Sequence, residues 1–292
     1  LENLIDWNLS RSRYWGTPLP IWRTEDKTEE ICIGSMDELK LEMQKSIDAS
    51  IMPASILQVV FDLHKPFVDD VILVSTNGKP MYRESDLIDV WFDSGAMPYA
   101  QWHFPFENKE TFEQSFPADF IAEGVDQTRG WFYTLHAIAT MLFDSVAYKN
   151  VVSNGLVLDK NGNKMSKSKG NTIDPFKTIE KYGADITRWY MISNSQPWDN
   201  LKFDEEGLAE SGRKLFGTLY NTYNFFAIYA NIDGFTIDKN NTTPLSERAE
   251  IDRWIISKLN TLTDEVATAF NEYEPTRAAR LMEDYVIEHL SN

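Results

Sequence analysis

Two short β-prone runs flank one apolar helix, and that arrangement leaves few folds open to the chain. Ala118-Asp119-Phe120-Ile121-Ala122-Glu123-Gly124 reads as a strand running into a turn, and Val151-Val152-Ser153-Asn154-Gly155 as a second one. Between them Trp131, Leu135, Ile138, Ala139, Leu142 and Phe143 recur at the i, i+4, i+7, i+8, i+11, i+12 spacing of one buried helix face. Asp126 stands where a cap for that helix belongs. Strand, helix and strand in this order predict a right-handed crossover in a parallel sheet. Ligands of such sheets bind beyond the carboxyl ends of the strands, here at Glu123-Gly124 and Asn154-Gly155. The fold class is therefore α/β.

The flanking sequence is of two kinds. Towards the N-terminus a Trp- and Arg-rich stretch, 6–22, is held extended by Pro18 and Pro20 and reads as a packed connector. Ser35 with Glu38 three residues on has capping-box spacing and predicts a helix start; Val68 to Ser75 reads as a strand, and Asn77-Gly78 as a turn. After residue 181 the pattern turns helical. Leu208, Leu215, Leu219, Tyr223, Phe226 and Ala230 form one stripe, Ile255, Leu259, Leu262, Val266 and Phe270 another, and Ala278, Leu281, Tyr285 and His289 a third. The polar run Asn231 to Thr243, with Gly234, Asn240 and Asn241, marks a boundary. An α/β unit followed by an α-helical one is expected. The opening Leu1-Glu2-Asn3 and the ending Leu290-Ser291-Asn292 read as the edges of an excised piece.

Charge narrows the function. The 292 residues carry 28 Lys+Arg against 45 Asp+Glu, a formal net charge of −17, so a polyanion would be repelled on average and must meet a local basic patch. One such patch exists. Between residues 158 and 177 five lysines (160, 164, 167, 169, 177) face two aspartates (159, 174), inside a loop with an Asn161-Gly162 turn. Ammonium groups there suit a triphosphate, whose oxygens gain charge during transfer, and a mobile loop could close over it. Charge alone would favour a solvated hairpin tip. The single Cys32 and the scattered His64, His103, His136 and His289 lack metal-ligand spacing, so no structural zinc is expected. With no long apolar run, a cytosolic location is expected.

The order of residues in that loop is more specific than its charge. Lys164-Met165-Ser166-Lys167-Ser168 is the KMSKS signature of class I aminoacyl-tRNA synthetases, and with Lys169-Gly170-Asn171 it resembles the isoleucine, valine and leucine subgroup. Asp89-Val90-Trp91-Phe92-Asp93-Ser94-Gly95 and Glu123 to Phe132 look like the isoleucyl branch. Ser10 to Gly16 resembles the strap after its editing insertion, and Phe61 to Asp70 is similar to its eukaryotic and archaeal-like members.

That resemblance implies a set of roles. Lys164 and Lys167 would bind phosphates as catalytic groups, with Met165, Ser166 and Ser168 completing the loop. Glu123 and Asp126 would hold the adenylate ribose, and Gly124, Asn154, Gly155, Leu156 and Val157 would line the nucleotide. Trp91, Gln127 and Trp131 would wall the amino acid; the stripe alone would make Trp131 an ordinary core aromatic. Arg188, Arg213, Lys214, Arg253, Lys258, Arg277 and Arg280 are candidate RNA contacts. The parent would join isoleucine to ATP, with Mg2+ accompanying the nucleotide, and transfer the product to tRNA(Ile), acting as a monomer. The organisation implied is 1–80 connector, 81–180 second half of a Rossmann-like catalytic domain, 181–243 stem-contact region and 244–292 start of an anticodon-binding domain. No His-x-Gly-His occurs in the chain, so its partner half-site and the editing domain are expected elsewhere, and the piece alone is expected to be inactive. A valyl enzyme and a non-catalytic RNA-binding module are the alternatives.

Overall fold

The computed structural model describes residues 6–58, 62–238 and 243–292; the Leu1-Glu2-Asn3 opening, Phe61, and Asn240-Asn241 of the expected boundary lie outside them. The chain forms two compact units, Leu1–Asp119 with Asp126–Lys149 and Phe120–Val125 with Asn150–Asn292.

The first unit begins with β1 (Ser10–Arg11), β2 (Ile21–Thr24), β3 (Glu30–Cys32), α1 (Met36–Asp48), β4 (Leu73–Val74), β5 (Pro80–Arg83) and β6 (Leu87–Ile88). Strands β3, β2, β5 and β4 make an antiparallel sheet in that order. Trp22, on the inward face of β2, is buried and its Nε1 donates to the Val71 carbonyl at 2.9 Å. Around it Leu39, Met43, Val71, Leu73 and Met81 complete a core, each side chain contributing about 1.5–3 kcal/mol by leaving water. The expected cap of α1 is present: the Ser35 hydroxyl accepts from the Glu38 amide at 3.1 Å. Glu38 in return accepts from the Gly34 amide at 2.7 Å, one residue earlier than the usual box. Asn77-Gly78 closes the β4–β5 hairpin, with the Ser75 amide donating to the Lys79 carbonyl.

Only Leu73–Val74 of the expected 68–75 strand is a strand; Phe67–Asp70 is a 3-10 turn. The turn presents Asp69 to the buried guanidinium of Arg83, a pairing that an extended segment would forgo.

The unit continues with α2 (Val90–Gly95), α3 (Met97–Ala100), α4 (Lys109–Ser115) and α5 (Trp131–Phe143), where α5 packs on α2. Helix α5 buries Leu135, Ile138 and Ala139 as its spacing predicts, but Leu142 is exposed. Phe143, also on the expected face, packs in a cluster with Phe104, Phe112 and Phe116, ring centroids 4.2 to 6.1 Å apart.

Strands β7 (Ala118–Gly124) and β8 (Tyr148–Asn154) pair, with α5 between them in the chain, and the unit boundary runs through both. The second unit adds the parallel pair β9 (Val157–Leu158) and β10 (Leu201–Lys202). Helices α6 (Pro175–Tyr182), α7 (Ala184–Asn194), α8 (Glu205–Ser211), α9 (Thr218–Ile232), α10 (Glu250–Asn271) and α11 (Pro275–Asp284) follow, with π-helical turns at Gly212–Gly217 and Tyr285–Leu290. Tyr190, Leu201, Phe203 and Leu208 form its core, with Met165, Ile173, Tyr182 and Ile186 packed against them. Leu208 and Leu215 are buried as expected, but Leu219, Tyr223 and Phe226 are 43, 66 and 53% exposed, and α9 buries none of its residues. Apolar spacing specifies a helix face; burial needs cover along its length, and the described residues of this unit leave most of α9 open. Among the described residues no helix is long and apolar enough to cross a membrane.

Candidate active site

In the first unit, the residues expected around the amino acid converge on the packing of α2 against α5. Asp89 is the foundation. It is 4% exposed, and its carboxylate accepts from the Trp91 amide at 3.3 Å, capping α2, from Trp7 Nε1 at 2.8 Å and from Arg11 at 2.7 Å. The N-terminal strap is thereby tied to the residue that caps the helix of the Trp91 ring, and β1 pairs with β6 just before it.

Trp131 starts α5 with its indole Nε1 donating to the Ser94 carbonyl at 2.8 Å. Its amide donates to Gln127 Oε1 at 3.1 Å, and Gln127 Nε2 donates to Asp126 Oδ2 at 3.1 Å. The cap of α5 is thus the Gln127 side chain. Asp126, expected there, lies instead in the 3-10 turn Val125–Arg129, where its carboxylate orients the glutamine amide. A Cβ on Gly130 would stand 2.9 Å from Gln127 Oε1 and 3.0 Å from the Trp91 ring. Glycine there lets the two close on the same spot. Trp91, Gln127 and Trp131 thus form one shelf, with Trp91 42% exposed. Nearby, burial raises the carboxyl pKa of Asp93, against the pull of its hydrogen bond from Thr17.

The second unit holds the residues expected around the nucleotide. Glu123, exposed, and Gly124 end β7, while Asn154 ends β8. At Gly155 a Cβ would fall 2.2 Å from the Asp199 carbonyl oxygen, and the Gly155 amide donates to the Pro197 carbonyl at 2.8 Å. Asn200 Oδ1 accepts from the Leu156 amide at 2.9 Å, leading the chain into β9 with Leu156 and Val157 exposed.

The lysine loop that follows is more than a hairpin tip. Asp159 Oδ1 accepts from the amides of Asn161 at 3.0 Å and Asn163 at 2.8 Å. Asn171 Nδ2 lies 2.9 Å from Asp159 Oδ2 and 3.3 Å from the Lys164 carbonyl as a donor, while Asn171 Oδ1 accepts from the Ser166 amide at 2.9 Å. The Asn171 donor is the main reason that the Asp159 carboxyl is held below its ordinary pKa. Ser166 Oγ accepts from the Lys169 amide at 3.3 Å, capping the 3-10 turn Lys167–Lys169, and lies 3.2 Å from Ser168 Oγ. Met165 packs inward against the Tyr190 core, and Lys164 and Lys167 are exposed without a carboxylate partner among the described residues. Met165 and Ser166 are half-buried, while Lys164, Lys167 and Ser168 are exposed.

Of the cations expected to meet RNA, four are spent internally. Lys214 pairs with Glu283, Arg188 with Asp185 and Arg277 with Glu272 and Glu274, while Arg280 donates to the carbonyls of Ser193 and Asn194. Arg213, Arg253 and Lys258 carry no ion pair among the described residues.

The profile described as tRNA synthetases class I (I, L, M and V) matches residues 1–204. The chain belongs to the class I tRNA synthetases. Among curated relatives of this synthetase chain, the isoleucine–tRNA ligase of Cytophaga hutchinsonii is 65% identical over 292 residues, all of this chain and 26% of that protein. That of Bacteroides fragilis is 66% identical over 308 residues, 27% of its length, and that of Thermus thermophilus 48% identical over 291, again 27%. The chain therefore spans about a quarter of the length of the relatives that it matches. In fold it resembles the Agrobacterium radiobacter LeuRS of a ternary complex with tRNA and LeuAMS, with a TM-score of 0.66 at 19% identity over 97% of this chain and 35% of the other. It also resembles Mycobacterium tuberculosis methionyl-tRNA synthetase in complex with methionyl-adenylate, with a TM-score of 0.59 at 17% identity over 90% and 53%.

Four residues that order the shelf or the loop carry no role in the sequence reading: Asp89 and Gly130 in the first unit, Asp159 and Asn171 in the second. Asp89 could have been found as an Asp placed before a helix start. Asp159 and Asn171 sit at the two ends of the loop, a separation that no local turn rule links.

Proposed function

We propose that a full-length polypeptide carrying this chain is an isoleucine–tRNA ligase. The isoleucine carboxylate attacks the α-phosphorus of ATP, the bond to the bridging oxygen breaks, and pyrophosphate leaves with the electron pair. The terminal ribose hydroxyl of tRNA(Ile) then attacks the acyl carbon and AMP departs. Lys164 and Lys167 meet the charge that grows on the phosphate oxygens, where ammonium groups lower the barrier. Glu123 and Asp126 accept from the ribose hydroxyls, with Gly124, Asn154, Gly155, Leu156 and Val157 along the nucleotide. Met165 and the serines of the loop set the lysines in place. Trp91 and Trp131 take the branched side chain and Gln127 the polar end of isoleucine. Mg2+ arrives with ATP as part of the substrate. The work divides along the chain as 1–80 connector, 81–180 second catalytic half, 181–243 stem contact and 244–292 anticodon-binding start, in a cytosolic monomer.

The observation that carries this reading is the pair Lys164 and Lys167, exposed and free of carboxylates among the described residues, on a loop hydrogen-bonded through Asp159 and Asn171 within a chain of net charge −17. Relatives at 48 to 66% identity bearing the isoleucine name favour that substrate over valine. The test is ATP–pyrophosphate exchange. The full-length protein should exchange with isoleucine in preference to valine, and this chain alone should not exchange at all. Preference for valine, or robust exchange by the chain alone, overturns the reading. Alanine at both Lys164 and Lys167 should slow single-turnover adenylation by about a hundredfold or more; an unchanged rate removes them from the chemistry.

A further inference from the structure

Two side chains at opposite ends of the lysine loop hold each other. Asn171 uses both ends of its amide: Nδ2 faces the Asp159 carboxylate at 2.9 Å and the Lys164 carbonyl at 3.3 Å, and Oδ1 takes the Ser166 amide at 2.9 Å. Asp159 uses both oxygens: Oδ1 holds the amides of Asn161 and Asn163, and Oδ2 accepts from Asn171 Nδ2 and, at 3.4 Å, from Asn163 Nδ2. The bridge between Leu158 and Lys164 closes the same ring of backbone, and the Asp159 amide donates to the Asn163 carbonyl at 2.9 Å. The two backbone groups that Asn171 grips, the Lys164 carbonyl and the Ser166 amide, bracket Met165 and lie immediately before Lys167. None of these contacts uses a lysine ammonium.

We propose that Asp159 and Asn171 form a clasp that positions Lys164 and Lys167 for phosphate transfer, so that Asn171 is a positioning residue of the adenylation step. This rests on the ligase reading above. The arrangement has a specific chemical polarity: a carboxylate must face an amide N–H. Asn171→Asp sets two carboxylates against each other, and Asp159→Asn sets two amide donors against each other. The double exchange, Asp159→Asn with Asn171→Asp, restores one donor facing one acceptor and keeps an oxygen for the Ser166 amide, at the loss of the longer bonds to the Lys164 carbonyl and from Asn163 Nδ2. A residue that merely stabilises the fold would not show this reversal.

The experiment uses the full-length polypeptide and reads single-turnover adenylation and isoleucine binding, together with hydrogen exchange at the Ser166 and Lys169 amides. Asn171→Ala should slow adenylation by about a hundredfold, with isoleucine affinity within about twofold of the parent, because displaced lysines act on the transition state and not on the amino acid. Asn171→Asp should be at least as slow, and the double exchange should recover at least tenfold over it. Loop amides should lose protection in the single variants and regain it in the double. Adenylation within twofold of the parent in Asn171→Ala overturns the clasp, as does a double exchange no faster than Asn171→Asp. If the unmodified protein forms no isoleucyl-adenylate, the ligase reading falls instead, and unchanged exchange at Ser166 in Asn171→Ala would still overturn the clasp by itself.

Discussion

At the tryptophan shelf, position comes from close approach: the Trp91 ring and the Gln127 amide meet over a glycine that leaves no room for a Cβ. At the lysine loop, position comes from a partly exposed hydrogen-bond network around Asp159 and Asn171, with Met165 its link to the core. The difference suits what each is proposed above to hold. An apolar pocket discriminates by shape, so its walls gain from rigid neighbours. A phosphate-handling loop must admit a large anion and release another, which exposed hydrogen bonds permit because each contributes only about 1 kcal/mol net.

The contrast can be broken at four places, in falling order of expected effect. Gly155→Ala drives a methyl into the Asp199 carbonyl, a backbone atom that cannot swing aside. A loss of about 3 kcal/mol is expected, read as a lower urea midpoint at unchanged slope. Asp89→Ala removes the α2 cap and the partner of Arg11 and Trp7, at about 2 kcal/mol, while Asp89→Asn, which keeps an acceptor for the cap, should lose less. Equal losses in the two variants would mean that the charge of Asp89 matters more than its capping oxygen.

Gly130→Ala is smaller in stability, about 1 kcal/mol, because the atoms in the way are side-chain ends that can shift. In the full-length protein it should weaken isoleucine binding by about tenfold with ATP binding unchanged; a weakening of both would mean that the shelf is not specific to the amino acid.

The loop has an acid response of its own. The carboxyl of Asp159 is held below its ordinary value, first by the Asn171 amide. A carboxyl depressed in this way contributes order that is fully present above the ordinary carboxylate range and is lost as pH falls through its lowered value, below about 4. The NMR signals of the Asn171 side-chain amide should therefore hold steady from about pH 7 to about pH 5 and shift only at stronger acid. Movement near neutrality would assign the loop to a different titrating group.

Much of the fold was legible because its signals are local. The Ser35 cap, the Asn77-Gly78 hairpin and the 118–124 strand each depend on a few adjacent residues. The misses depend on something distant. Phe67–Asp70 turns where Asp69 serves Arg83, fourteen residues on, and of the two stripe residues that end α5 only Phe143 has an aromatic cluster to meet, while Leu142 is exposed. Helix α9 has a regular stripe and no buried residue. At the candidate site, the tryptophans and lysines stand out by their strings, whereas the hydrogen bonds of Asp89 and Asn171 reach across loops and helix starts that no periodicity describes.

Met165 gives the lysine string a rotational phase. It is the tooth that engages the Tyr190 and Leu201 core, and the lysines beside it are turned outward by that engagement. Exchanging the first two letters, Lys164→Met together with Met165→Lys, would keep the composition and the charge, yet it would press an ammonium into apolar side chains. That costs several kcal/mol unless the loop lets go. The order of the five letters is thus a mechanical requirement as much as a chemical one.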